Sequence, residues 1–158
     1  SPSDIDDEGH LSLLDNDYIS FYKYEESPEI KVKVGDILFT KTASIGKTAY
    51  VGKLLEKSTI NPQFALITPN NKINGYFQFL SMRLPNFMEQ VWGITGGSSI
   101  PTMSQEKLKE LTFYSTKLDE QKKISFFLLY LDNLITLHQR KCEKLKNIKK
   151  ALLEKMFV

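Results

Sequence analysis

LDEQKKISFFLLYLDNLITLHQRKCEKLKNIKKALLEKMFV, residues Leu118–Val158, decides the architecture of this 158-residue chain. Steps of seven from Ile124 reach Leu131, His138, Leu145 and Leu152; steps of seven from Phe127 reach Leu134, Lys141, Ile148 and Lys155. A 3.5-residue apolar repeat without Gly or Pro predicts one long helix whose seam faces another long helix. At ~1.5 Å per residue it would run roughly 60 Å, twice the diameter of a small domain. Most of it should therefore project beyond a globular body, and its apolar stripe needs a partner. His138 in the seam reads as a polar register-setter rather than a base. Cys142, beside the seam, is expected to be packed.

The remainder suits a single domain. Apolar residues make up 41% and charged residues 25%, and ten Phe and seven Tyr supply a core. A lone cysteine excludes a disulfide framework and any Cys-based metal site, and fits a reducing cytoplasm. No apolar run approaches the ~18 residues of a membrane span. Ser1 opens no signal-peptide pattern, and a start without Met reads as a processed chain or a fragment.

The net charge of +2 conceals a division. Residues 1–29 hold nine acidic side chains and one Lys, residues 30–117 hold eleven basic and five acidic, and residues 118–158 hold nine basic and five acidic. A polyanion would approach the middle and the helix and be repelled by the amino-terminal stretch. The same balance also fits ordinary basic faces of soluble proteins.

Residues 1–10 read as a mobile, solvated acidic terminus. Tyr18, Ile19, Phe21 and Tyr22, then Ile30, Val32 and Val34, suggest two strands, with Lys31 and Lys33 facing away from the apolar side. Gly35-Asp36 marks a turn, followed by short strands at Ile37-Leu38-Phe39, Thr48-Ala49-Tyr50-Val51 and Phe64-Ala65-Leu66-Ile67. From 75 to 91 the apolar residues recur at helical spacing, and Pro85 divides two helical pieces. Gly93, Gly96 and Gly97 open a flexible loop to Pro101. Ser104 is positioned as an N-cap, and Thr112-Phe113-Tyr114 reads as a last strand. No internal repeat is visible. The pattern predicts an α+β fold with a small mixed sheet, organised as a body over 1–117 and a long helix over 118–158.

Lys41-Thr42-Ala43-Ser44-Ile45-Gly46-Lys47-Thr48 ends in Gly-Lys-Thr after a strand, as a phosphate loop does. That motif requires Gly where Lys41 stands, and a helix after the Thr, where Ala49-Tyr50-Val51 is strand-like. Nucleotide hydrolysis does not fit. A hairpin gripping a nucleic-acid backbone does, with ammonium groups at Lys41 and Lys47, hydroxyls at Thr42, Ser44 and Thr48, and close approach at Gly46. A plain polar turn fits equally. Ser98 and Ser99 lie in a second small-residue stretch, read either as a groove-entering loop or as a connection. No catalytic constellation emerges, because His10 and His138 lie at opposite ends of the chain. The acidic residues of 1–29 lack metal-loop spacing, and no cofactor motif is present. Trp92 reads as a core or loop anchor.

Three segments together carry a resemblance: VKVGDILFTKTASIGKTAYVG (Val32–Gly52), GGSSIPTMSQEKLKEL (Gly96–Leu111) and the Leu118–Phe157 helix. Within the helix, the Glu-Gln-x-x-Ile opening, the Leu-Asp-x-x-Ile step from Leu131 to Ile135 and the Leu-Leu-x-Lys-Met-Phe ending are the specific elements. In order and spacing they resemble the specificity subunits of type I restriction–modification enzymes, over roughly residues 18–157. Family members usually pair two recognition domains through two long helices packed antiparallel, and this chain has material for one such unit. It departs from the pattern in a short acidic opening and in Thr116-Lys117 where a Pro usually precedes Glu-Gln.

The resemblance implies a non-catalytic reader of double-stranded DNA in the cytoplasm, needing no cofactor. One recognition domain would read one half of a split target. Methyltransferase subunits would dock, and the restriction subunit would join through them. Lys31, Lys33, Lys41 and Lys47 would hold the DNA backbone, and Thr42, Ser44, Ser98 and Ser99 would touch base edges. Ile124, Phe127, Leu131, Leu134, His138, Leu145, Ile148 and Leu152 would pair the helix in an antiparallel coiled coil, with a second copy as one possible mate. The alternative is a coiled-coil assembly module that dimerises or captures a protein without touching DNA.

Overall fold

β1 (Ile37–Thr40) is central because all four of its side chains are buried. A strand covered on both faces reads as a continuous apolar run. It pairs antiparallel with β2 (Thr48–Tyr50) on one side and β3 (Phe64–Ile67) on the other, giving the order β2-β1-β3. The expected α+β class holds, and within it the described pairings of the sheet are antiparallel throughout. The computed structural model describes residues 1–12, 17–42, 44–54, 56–95 and 102–156. These divide into two compact units, Ser1–Gln121 and Lys122–Val158.

In the first unit, Leu38 pairs with Ala49, and both join Ile5, Val32, Val51 and Phe64 in a core cluster on one face of the sheet. Ile37 pairs with Tyr50. The Tyr50 ring meets Tyr76 edge-on at 5.2 Å and lies 6.2 Å from Phe79, both on α2 (Gly75–Ser81). Asn74 caps α2 by accepting the Phe77 N–H at 3.0 Å. Pro85 starts α3 (Pro85–Thr95), a position where a missing N–H costs nothing, so the division expected at Pro85 is observed. Ser104 caps α4 (Gln105–Glu110), accepting the Lys107 N–H at 3.3 Å.

Several expectations are corrected. The strand expected around Tyr18–Tyr22 is replaced by α1 (Phe21–Glu26), because Ser20 accepts the Lys23 N–H at 3.3 Å and starts a helix. Val32 is buried but Val34 is exposed, and Ser27-Pro28 opens a 3-10 turn over Pro28–Ile30 instead of the second strand. Only an isolated bridge, Lys31 to Thr59, remains there among the described residues. Thr112–Tyr114 forms no strand; the Thr112 backbone is held by a side chain, Gln90. Gly93 lies inside α3 rather than in a loop, while Gly96, Gly97 and Pro101 fall outside the described residues. Trp92 is 59% exposed on α3 and anchors no core.

The acidic terminus is not a solvated tail. Ile5 is 1% exposed, bridges to Leu11 and belongs to the core cluster. Burial of this isoleucine contributes about 1.5–3 kcal/mol, and hydrogen bonds from Lys47 to the Ile5 carbonyl and from Arg83 to the Asp7 carbonyl add to it in holding the turn. Gly9, at φ +83°, is a close-approach point: a Cβ there would lie 2.8 Å from the Thr48 carbonyl oxygen and 2.4 Å from the Arg83 guanidinium.

The second unit belongs to α5 (Leu118–Met156), which begins in the first. Its helical state was expected from the seven-residue repeat. Along it Ile124, Leu131 and Leu134 are half-buried, and Phe127, His138, Leu145, Ile148 and Leu152 are exposed. Cys142 is exposed rather than packed, since its stretch of the helix from Leu137 to Met156 is exposed at every residue. Among the described residues no helix is long and apolar enough to cross a membrane.

Candidate nucleic-acid interface

The connection between β1 and β2 is a hairpin, as the strand-like continuation after Thr48 required. Thr40, fully buried, places its hydroxyl 2.5 Å from the Ser44 carbonyl and 3.2 Å from the Lys47 carbonyl. The Gly46 N–H donates to the Thr40 carbonyl at 3.2 Å, with Gly46 at φ +91°. A Cβ at Gly46 would sit 2.4 Å from Met88 Cε, so the hairpin tip presses on α3. The loop's own backbone polar groups are thus used inward.

A second segment joins it. Thr42 forms an isolated antiparallel bridge with Thr102, and the Met103 N–H donates to the Lys41 carbonyl at 2.9 Å. Met103 is 1% exposed and pins this junction in the core. From the other side the Lys41 N–H donates to the Gln63 carbonyl at 2.7 Å. Lys41 and Thr42 are half-buried, while Ser44 and Thr102 are exposed. Thr102 belongs with the site yet gave no separate sequence signal, because only the non-local bridge reveals it. Ser98 and Ser99, four and three residues before Thr102, fall outside the described residues.

The other lysines are spread out and partly engaged. Lys47 Nζ donates to the Ile5 carbonyl at 3.2 Å and lies 3.4 Å from Asp7 Oδ1. Arg83 Nη2 donates to the Asp7 carbonyl at 2.8 Å, so two cations from the basic region hold the acidic segment. Lys31 Nζ pairs with Glu25 Oε2 at 2.5 Å and sits 4.5 Å above the Tyr24 ring. The Lys31 hydrogen bond holds the Glu25 carboxyl below its ordinary range. Lys33 is exposed, and its N–H donates to Asp36 Oδ2 at 2.7 Å within the expected turn.

Two features escaped the sequence reading. Tyr18, Phe21 and Tyr22 are 88%, 66% and 79% exposed, and Lys57 lies 4.8 Å over the Phe21 ring. Asp6, Glu8 and His10 also gather on the surface with ligand atoms within 4.8 Å of one another. His10 Nδ1 lies 2.9 Å from Asp6 Oδ2. Burial pushes the Asp6 carboxyl up, but hydrogen bonds from the His10 backbone and ring outweigh it and hold that carboxyl low. These bonds close the turn that carries Gly9 past β2.

The family described as the type I restriction modification DNA specificity domain matches residues 12–147. The type I restriction enzyme MjaIX specificity subunit of Methanocaldococcus jannaschii is 30% identical over 124 residues, covering 78% of this chain and 28% of that protein. The putative type I restriction enzyme MjaX specificity subunit of the same organism is 32% identical over 148 residues, covering 89% and 34%. The chain therefore spans about a third of the length of these relatives. A chain from a study of complex assembly and conformational transition of the type I R-M system superposes with a TM-score of 0.64 at 17% identity, over 92% of this chain and 38% of that one. That likeness concerns the fold: a small sheet, its helices and a long terminal helix. With the matched segment running from residue 12 far into the long helix, the chain belongs to the type I restriction modification DNA specificity domain family.

Proposed function

We propose that this chain reads one half of a bipartite target in double-stranded DNA, without catalytic residues of its own, as part of a type I restriction–modification enzyme. The observation that supports the reading is the Thr42–Thr102 bridge, which sets the start of the hydroxyl-bearing hairpin beside Thr102 just beyond the end of β1. Hydroxyls and ammonium groups on a rigidly held loop are the donors that DNA backbones and base edges accept. Lys41, beside Thr42 and Ser44, contacts phosphate, and Lys33 and Lys31 extend the backbone contact. Lys47 reaches phosphate in exchange for Asp7. Thr42 and Ser44, with Ser98 and Ser99, meet base edges.

Residues 1–117 form the recognition domain in this proposal, and residues 118–158 form the spacer. The spacer holds two recognition domains at a fixed separation, which sets the length of unread DNA between half-sites. Methyltransferase subunits dock on the assembly in the cytoplasm, and the restriction subunit joins through them. The seam of α5 mates with a second long helix, supplied by another copy of this chain or by the remainder of a longer subunit.

The test is the salt dependence of DNA binding by the chain assembled with its methyltransferase. Lys41→Ala should lower the slope of log K against log salt by about 0.9, the value of one phosphate contact. An unchanged slope and affinity would remove Lys41 from the interface. The exposed Leu145, Ile148 and Leu152 favour one other reading, a coiled-coil assembly module that never touches DNA. That reading requires Lys41→Ala, Thr42→Ala and Ser44→Ala all to leave DNA binding untouched.

A further inference from the structure

Gln121 is 2% exposed, an unusual burial for a glutamine, and both ends of its amide are used. Oε1 accepts the Asn74 N–H at 2.8 Å. Nε2 donates to the Thr116 carbonyl at 2.7 Å and to Ser115 Oγ at 3.0 Å, which exhausts its two hydrogens. Burial alone would be served as well by leucine. The two-ended amide is needed because an N–H and a carbonyl must be satisfied together.

Its partners lead into the sheet. Asn74 is the N-cap of α2, and a Cβ on the next residue, Gly75, would lie 2.8 Å from the Gly35 carbonyl in the turn before β1. On the other side the first turn of α5 closes on itself: the Glu120 and Gln121 N–H groups both donate to the Lys117 carbonyl, at 2.9 and 3.0 Å. The Thr116 hydroxyl bonds the Glu120 carboxylate. All of these residues lie within the unit that ends at Gln121.

We propose that Gln121 is a positioning residue that anchors the root of α5, so that its loss relaxes the spacing between half-sites while each half-site is still read. This rests on the DNA-reading proposal above. A ruler measures only from a fixed end. Unravelling the four residues from Leu118 to Gln121 stretches them from about 6 Å of helix to about 13 Å of extended chain. The slack is about 7 Å, or about two base-pair steps at ~3.4 Å each.

The experiment uses the complete specificity subunit assembled with its methyltransferase, as wild type and as Gln121→Met, which keeps length and loses both polar ends. Methylated sites are mapped across a genome, and amide exchange is followed at Asn74 and residues 118–121. The wild type should modify one bipartite motif with a single spacer length. Gln121→Met should also modify sites whose spacer differs by one or two base pairs, with both half-site sequences unchanged, and its Asn74 amide should exchange on the order of tenfold faster. A single unchanged spacer length overturns the proposal, and so does loss of half-site discrimination together with spacing. If the wild type modifies no bipartite motif, the DNA-reading proposal falls and the spacing role falls with it. Should Gln121→Met fail to fold, Ser115→Ala, which removes one acceptor of Nε2, is read against the same outcomes.

Discussion

Gln90 on α3 holds Thr112 by both ends of its backbone: Nε2 donates to the Thr112 carbonyl at 2.8 Å, and Oε1 accepts the Thr112 N–H at 3.1 Å. A side-chain amide here occupies the backbone groups of Thr112 that a neighbouring strand would use. Each such bond contributes about 1 kcal/mol net. Gln90→Ala should therefore cost about 1–2 kcal/mol, read as a lower urea midpoint with an unchanged m-value. A midpoint equal to wild type would mean that water replaces the clasp without loss.

Gly9 and Gly35 separate backbone strain from steric clash. Both have positive φ, +83° and +100°, but a Cβ at Gly35 meets nothing within 4 Å, whereas one at Gly9 would strike the Thr48 carbonyl at 2.8 Å. Gly35→Ala should cost about 1–2 kcal/mol from the left-handed conformation alone. Gly9→Ala should cost more, because the acidic turn must lift off β2 and draw Ile5 out of the core. Thermal denaturation of the two variants orders them; equal melting temperatures would show that the amino-terminal turn is not held as described.

The Lys31–Glu25 pair gives a pH signature. The folded Glu25 carboxyl lies below its ordinary value of 4.5, chiefly through the Lys31 hydrogen bond. A depressed carboxyl contributes stability above its unfolded value, and that contribution fades as pH falls through the folded value. NMR titration of the Glu25 side chain should give a midpoint below 4.5, and Lys31→Met should raise it toward 4.5. The Glu25 carboxylate is about half exposed, so water screens the pair and global stability should change little. A midpoint indifferent to Lys31→Met would sink the assignment.

What could be foreseen follows the range of each signal. The long helix, the hairpin after Gly35-Asp36, the break at Pro85 and the Ser104 cap rest on residues within one or two turns of each other, so the sequence carries them directly. α1 runs against its local signal: Phe21, Tyr22 and Tyr24 favour strands, while a single Ser20 cap starts a helix. Ile5 lies among aspartates, and only packing with Val32, Leu38 and Phe64 places it in the core. The candidate interface divides the same way. Lys41, Thr42 and Ser44 stand out as hairpin donors, but their proximity to Thr102 depends on a bridge across 60 residues. Lys47 gave no sign that it would meet Asp7.

The charge along α5 makes a last prediction about its pairing. Residues 140–156 carry seven basic and two acidic side chains, and residues 118–134 carry two basic and three acidic. In a parallel pair of copies the two basic halves lie side by side and repel; in an antiparallel pair each faces the nearly neutral half of its mate. Leu145, Ile148 and Leu152, 65%, 46% and 57% exposed, provide the apolar stripe for either. The exposed thiol of Cys142 distinguishes them. Full antiparallel overlap sets each Cys142 opposite residue 132 of the other copy, so the two thiols lie about 15 Å apart along the axis. Parallel overlap sets the two thiols level with each other on the flank of the seam, within reach of a short thiol-specific crosslinker. Sedimentation should find a dimer that such a short crosslinker does not join, and Leu145→Asp with Leu152→Asp should dissociate it. A crosslinked dimer would reverse the direction of pairing. A monomer at micromolar concentration would mean that this seam waits for the helix of a different chain.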